Sequence, residues 1–494
     1  MKNIREVTRQ IAKARGLTLS RLTEMLGYRS KTSLERIMNG TTRESSLVKF
    51  EQAMQKALLL GEEECEALHE AVLMARCGEE TYRVRLKMWE FVQGSWLMNS
   101  PALTVRSVQD GKPIDLAARY RGQCVRALVF NCQYIGGLFS LLSELLSVKG
   151  SCVRHFMYLD SDGVRAMSAI NALMSVFYLK GYSGYTFTVD DSEKDTHCGI
   201  NTLDGALFDY QDEQGVSCED IVIFNSTKSG RLMTLRGAHG RTENLLGIDT
   251  RTFQSIKHAY FHCGAFEDYV RYSREYAMLE FNRSIWKIKP DIGIDQIPPH
   301  ILASAFLRSP ESENQDPHFL DRFSEIREIY DRRFENTYSK RKHAYTIMKR
   351  GAMRRFAQTG RTSDHFWMMD AYTPEERVEI LQSLLKQQME NPYLHMFFLK
   401  QDDVLRDVEI ACYEDFGMLL LEADTGYNLD NGHSEALITH QALLRLYRDF
   451  FMNVLLRDYV LPKSETIRFL RQLIAEATQA MQAACAGGSL PESK

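Results

Sequence analysis

Cysteine occurs ten times among 494 residues but never in a Cys-x-x-Cys spacing. Scattered cysteines in a long chain read as small buried hydrophobes, which argues against a zinc site or a disulfide framework. Long hydrophobic runs are missing too. The longest uncharged stretch, Ala127 to Ser143, is short for a spanning helix and contains Asn131, Gln133 and the Gly136–Gly137 pair, so no membrane segment is expected. The opening residues MKNIREVTRQ lack an apolar run behind a basic stub, which predicts a cytoplasmic protein without a secretory signal. The glycines at 230, 237 and 240 complete neither a phosphate loop nor a dinucleotide fingerprint and read as a loop. No internal repeat stands out. No metal ligand set, cofactor motif or catalytic residue is assigned.

What is present is ordinary for a packed protein: 44% hydrophobic, 26% charged and 10% aromatic residues argue against disorder. At roughly 100–200 residues per domain, the length suggests about three domains. Charge is distributed unevenly. Residues 1–60 hold twelve lysines and arginines against five glutamates, a net +7, which leaves −11 to the rest of a chain whose total is −4. A basic end on an acidic body suits a protein that meets phosphates at one end only.

In the basic end, Ile4, Val7, Ile11 and Ala12 recur at helical spacing before Gly16, predicting a first helix over 3–15. Thr18 offers a hydroxyl cap to a second helix from Leu19 to Leu26, closed by Gly27. Ser30 can cap a third, with Leu34 and Ile37 facing inward and Asn39–Gly40 ending it. A fourth, Ser46 to about Leu60, puts Leu47, Phe50, Met54 and Ala57 on one stripe. A connecting helix follows over 61–78, its first turn acidic.

The segments Thr18-Leu-Ser-Arg-Leu22, Met25-Leu26-Gly27, Ser30 and Leu34-Glu-Arg-Ile37-Met-Asn-Gly40 resemble the Cro/repressor-like (XRE-type) helix-turn-helix family, over about an eighth of the chain. The resemblance implies that the helix from Lys31 to Met38 enters the major groove of double-stranded DNA, with Lys31, Thr32, Ser33, Glu35 and Arg36 facing it. Arginine and lysine can donate to guanine, and glutamate can accept from cytosine. Arg36 is the foremost base-reading candidate. Arg21, Arg29 and Arg43, with Ser30, sit at helix ends or turns, where phosphate contacts arise. Repressor-type heads read paired half-sites, so a homodimer is expected.

Beyond Tyr82, short β-rich runs at Ala127–Phe130, His155–Leu159, Tyr185–Val189 and Asp220–Phe224 alternate with helical patterns at Leu138–Leu146 and Ala166–Leu179. Five of the 11 prolines fall between Pro290 and Pro317, marking a boundary. Residues 318–357 read as one or two long polar helices. Thr373-Pro-Glu-Glu376 is a strong helix start, and Glu414-Asp-Phe-Gly417 joins two strands of a hairpin. Two amphipathic helices, about 440–457 and 465–486, close the chain.

The expected fold class is α+β multidomain. An N-terminal all-α helix-turn-helix domain of four or five helices (1–78) precedes a mixed α/β body, divided into a mixed α/β domain and candidate sensor (79–295) and a helix-rich α+β domain for effector binding or dimerisation (296–494).

Other chemistry is weaker. Asp160-Ser-Asp162-Gly163 could hold Mg²⁺ but is also a common turn composition, and His197–Cys198 and His262–Cys263 are adjacent pairs whose side chains diverge. Phe366–Trp367, Tyr393 with Phe397–Phe398, and Tyr427 read as core, and the polar loop Gly426–His433 as a pocket lining. The function expected is a transcriptional regulator whose body senses a small-molecule effector or assembles subunits; the alternatives are an enzyme or a protein-interaction protein carrying the helix-turn-helix module.

Overall fold

The computed structural model describes residues 2–93, 103–158 except 133, 134 and 136, 163–187 except 178 and 180, 204–224, 230–237, 254–261, 274, 277–308, 319–338, 342–362, 370–405, 408–422, 433–438 and 441–487. Its packing separates two compact units, Met1–Trp89 and Glu90–Lys494.

The first unit is helical: α1 (Ile4–Ala14), α2 (Leu19–Met25), α3 (Lys31–Met38), α4 (Glu44–Leu58) and α5 (Glu62–Cys77), with α6 (Glu79–Val92) running across the boundary. One side of each of the first five supplies a shared core containing Ile4, Val7, Ile11, Leu22, Leu34, Ile37, Leu47, Phe50, Met54, Leu68 and Val72. These are the positions a 3.6-residue period places together. Gly27 and Gly40 adopt φ of +71° and +68°, a region costly for residues bearing a Cβ. Each lets the next amide reach back to the preceding helix: Tyr28 N–H donates to Thr23 O and Thr41 N–H to Arg36 O, both at 3.0 Å. That is the glycine-assisted helix stop.

The second unit is mixed α/β. Its described strands form one hydrogen-bonded series, β12-β11-β10-β13-β14-β15-β9-β5-β4-β3-β6-β7-β8-β1-β2 when numbered along the chain. β9 (Gln254–Phe261) joins two mixed halves by pairing antiparallel with β5 on one side and β15 on the other. In the first half, β3 (Arg126–Phe130), β4 (Cys152–Tyr158) and β5 (Tyr182–Phe187) run parallel, connected by α8 (Leu138–Leu146) and α9 (Gly163–Phe177). Then β6 (Gly205–Gln211) returns antiparallel beside β3, followed by β7 (Ser217–Phe224) and β8 (Gly230–Arg236). At the far edge, β8 pairs with β1 (Thr104–Ser107), and β1 with β2 (Pro113–Asp115); α7 (Leu116–Tyr120) follows β2.

The second half repeats this plan. β10 (Ile285–Ile288), β11 (Ala344–Met348) and β12 (Leu394–Phe398) are parallel, and β13 (Val408–Tyr413) returns antiparallel beside β10 before β14 (Gly417–Glu422) and β15 (His433–Ile438). Helices α10 (Pro299–Leu307) and α11 (Phe319–Tyr338) make the first crossover, and α12 (Arg350–Thr359) and α13 (Pro374–Glu390) the second. The duplication is one of strand order and sense. Helix α14 (Gln441–Phe450) continues in wider turns over Phe451–Tyr459, and α15 (Lys463–Gly487) follows.

The reading of 318–357 changes here. The 318–357 stretch is α11, a strand and α12: Ala344-Tyr-Thr-Ile-Met348 is flanked by basic residues that disguise it, yet it lies between two parallel neighbours. The segment around the expected 295/296 boundary is continuous in packing, because Ile292, Ile294, Ile297, Ile301 and Phe306 share one core with Met353, Leu381, Phe398 and Leu470.

β12 is the outermost strand of its half, and its outward backbone groups are not left bare. The buried Gln388 side chain of α13 accepts from Met396 N–H at 2.8 Å and donates to Met396 O at 3.1 Å. Leu461 N–H donates to Phe398 O, and Lys400 N–H to Tyr459 O. Such capping stops an edge from templating further strands.

Candidate nucleic-acid interface

The α2–turn–α3 segment gathers most of the residues singled out from the sequence. α3 begins at Ser30, whose Oγ accepts from Ser33 N–H at 3.2 Å and lies 3.0 Å from Ser33 Oγ. Both hydroxyls therefore serve the helix start. Leu34, Ile37 and Met38 bury the inner side. Lys31, Thr32, Glu35 and Arg36 are exposed on the outer arc, since positions i, i+1, i+4 and i+5 fall on one side of a helix.

The side chains of Lys31, Thr32, Glu35 and Arg36 make no hydrogen bond or ion pair with any described residue, and the same holds for the exposed Arg29 and Arg43. Arg21 differs: its guanidinium pairs with Glu24 at 3.0 Å on the exposed side of α2. The end of α3 is held by Thr41, whose N–H and hydroxyl both donate to Arg36 O, at 3.0 and 3.1 Å.

Ion pairs on other sides of the unit fasten α5. Arg15 makes two bonds to Glu64, at 2.5 and 2.6 Å, which hold the Glu64 carboxyl down to about 2. His69 meets Glu51 at 2.7 Å, and Arg76 meets Glu44 at 2.7 Å. These pairs occupy charges near α5, while those of the α3 arc make no such pair.

A second charged cluster, in the body, escaped the sequence reading. Lys287 of β10 is buried, its Nζ 2.9 Å from Asp295 Oδ2 and 3.3 Å from Glu280 Oε1. Arg333 of α11 donates twice to Glu280, at 3.1 and 3.0 Å, and Thr337 Oγ1 donates to Asp295 at 3.2 Å. Lys289 pairs with Glu409 at 2.9 Å. Burial works against the Lys287 charge, but Asp295 and Glu280 outweigh it and raise its pKa. Burial likewise opposes ionisation of Asp295, and Lys287, Arg333 and Lys289 overcome it, lowering its pKa. The available signal was two lysines alternating inside the apolar Trp286-Lys-Ile-Lys289.

Other groups pair within the body. His155 lies on β4, fully buried with its Nδ1 3.0 Å from Tyr182 Oη, and burial pushes it down to about 3. Asp220 of β7 accepts from Arg119 at 2.5 Å and from Tyr120 at 2.8 Å. Tyr393 stands near His343, itself 2.9 Å from His395, and Phe398 packs edge-on against Phe469. Asp160, Asp162, His197, Cys198, His262, Cys263, Phe366, Trp367 and Tyr427 lie outside the described residues.

No protein-family model matches the chain, and no curated protein matches it. Among solved structures, a polyphosphate kinase from Porphyromonas gingivalis aligns at 12% identity over 79% of this chain and 53% of that one, with a TM-score of 0.21. The chain thus spans about half the length of that kinase. A phosphatidylserine synthase from Haemophilus influenzae Rd KW20 aligns at 11% identity over 81% of this chain and 98% of that one, with a TM-score of 0.25. Likeness at that level carries no functional argument. No described helix is long and apolar enough to cross a membrane.

Proposed function

We propose that the chain is a sequence-specific DNA-binding transcriptional regulator, its helical unit acting as a helix-turn-helix module of the Cro/repressor-like kind. The observation that carries this reading is the outer arc of α3: four exposed polar side chains without partners, on a helix whose other side is buried and whose two ends are capped.

In this reading α3 lies in the major groove. Arg36 and Lys31 donate to guanine edges, Glu35 accepts from cytosine, and Thr32 meets a base or a phosphate. Arg29 and Arg43, at the two ends of the α3 segment, take phosphates and fix the register. Arg21 joins them by exchanging Glu24 for a phosphate oxygen. Ser30 and Ser33 hold the helix start and orient Lys31 and Thr32; they do not read bases.

A homodimer places two such modules on half-sites about one helical turn apart. The body supplies dimerisation and the response to a small-molecule effector, which must favour one arrangement of the modules over another.

The test is selection from a pool of random duplex DNA at moderate salt, comparing the intact chain with Lys31→Ala/Arg36→Ala. Recovery of a palindromic site by the intact chain alone supports the reading. Enrichment by neither protein refutes it.

A further inference from the structure

The acidic body contains an acid-free stretch that is unusually rich in lysine and arginine. From Asn336 to Ser363 there is no aspartate or glutamate, while Lys340, Arg341, Lys342, Lys349, Arg350, Arg354, Arg355 and Arg361 are present. Solubility does not require this, because surfaces that only need to stay dissolved intersperse both signs.

α12 carries the arginine-rich part of the stretch. Its inner side, Ala352, Met353, Phe356 and Ala357, is buried, and Arg354, Arg355, Gln358 and Thr359 are exposed, as is Arg361 just beyond. The guanidinium groups of Arg355 and Arg361 have no partner among the described residues. The Arg354 guanidinium lies over the Phe469 ring, 5.4 Å from the centroid, on a residue that remains exposed. The first turn of the helix is already satisfied, since the Asp402 carboxylate accepts from the amides of Arg350 and Gly351 at 2.8 and 2.5 Å, and the Arg350 side chain reaches Lys400 O. The free charge therefore lies along the side of the helix.

We propose that this strip, Arg354, Arg355 and Arg361, is a second contact of the protein with duplex DNA, made to the phosphate backbone and independent of sequence. The inference rests on the DNA-binding reading above and assigns part of the affinity to the body. The planar guanidinium suits phosphate better than an ammonium does. Ten helical residues span about 15 Å, and each DNA strand presents a phosphate about every 3.4 Å of axis, so three arginines along the strip can each meet one. The segment that carries the strip contributes no acidic side chain of its own, and the Asp402 carboxylate near it is engaged by the helix amides.

The experiment uses the full chain, the duplex recovered by selection and an unrelated duplex of equal length, titrated between about 50 and 300 mM salt. Each phosphate contact contributes about 0.9 to the slope of log affinity against log salt. Arg354→Gln/Arg355→Gln/Arg361→Gln should lower that slope by about 2 to 3 on both duplexes and leave the preference between them intact. The pair Arg355→Gln/Arg361→Gln, which removes no packing contact, should lower it by about 2. Replacing all three by lysine should retain most of the slope.

Wild-type slopes in both glutamine variants, with preference unchanged, would overturn the second contact and leave the α3 reading standing. A reduced slope on single-stranded RNA but not on duplex DNA would overturn it in favour of RNA. Absence of any preference by the wild type would remove the reading on which it rests, and this inference with it.

Discussion

Replacing Lys287 by methionine probes the interior of the body most sharply. The lysine is central to a buried network: Asp295 at 2.9 Å and Glu280 at 3.3 Å both depend on it, Arg333 compensates Glu280, and Thr337 gives Asp295 one neutral hydrogen bond. Lys287→Met preserves length and apolar volume, so the change is chiefly electrostatic. Removing one partner of a buried pair costs about 3–5 kcal/mol. Arg333 remains beside Glu280, so about 3 kcal/mol is the appropriate end of that range.

The cost depends on pH. Asp295 has a depressed pKa in the fold, so its contribution is present above its ordinary value of about 4 and fades on acidification; Lys287 has a raised one, so its contribution is present below about pH 10 and fades only in alkali. The deficit of Lys287→Met is therefore largest near neutrality and shrinks below about pH 4. Urea unfolding followed by tryptophan fluorescence, with Trp286 next in sequence, measures it. Adding Asp295→Asn to Lys287→Met should recover at least about 1.5 kcal/mol, because the buried carboxylate that lost its hydrogen-bonded cation is gone, Arg333 and Lys289 acting on it only at longer range. A single variant within about 1 kcal/mol of wild type, or a double variant losing the sum of both singles, would refute the reasoning.

Three further outcomes are expected. Gln388→Leu strands the buried N–H and C=O of Met396 and should cost about 3 kcal/mol in urea unfolding; Gln388→Glu should be partly rescued as pH falls and the carboxyl becomes a donor. Glu64→Gln removes the Arg15 pair, which is about a third exposed, so thermal unfolding near pH 7 should show a loss of only about 1 kcal/mol. Because the folded Glu64 pKa is lowered to about 2, that difference should disappear as pH falls from about 4.5 towards 2. Glu24→Gln frees Arg21 and removes a negative charge from α2; duplex affinity at fixed salt should rise severalfold, and an unchanged value would mean that Arg21 meets no phosphate.

The helical unit was legible because local signals agreed with tertiary ones. Thr18 and Ser30 accept from the amides three residues on, Gly27 and Gly40 take the left-handed positions, and the apolar period matches the buried side of each helix. Thr373 was readable for the same reason, its hydroxyl and the Glu376 carboxylate capping each other reciprocally. β10 was not, because its lysines are paired with buried carboxylates at 280 and 295, on either side of the strand, and at 409, a strand neighbour that only the tertiary fold brings close. β11 was hidden by the basic residues at its ends. The duplicated strand order was invisible for a different reason: topology depends on which strands pair, and residues as unlike as Leu128 and Lys287 occupy the middles of β3 and β10. The α3 arc was readable as a surface and Ser30 as the cap of its helix, while the Ser33 hydroxyl, counted with the arc, lies 3.0 Å from Ser30 Oγ.

The most direct test is an equilibrium titration of the selected duplex, and of copies altered at one base pair each, with wild type and Arg36→Ala. Wild type should lose about 1–3 kcal/mol of binding at the base pair Arg36 reads, and Arg36→Ala should bind weakly and no longer distinguish that pair while still discriminating the others. Equal discrimination by both proteins at every position would contradict the placement of α3 in the groove.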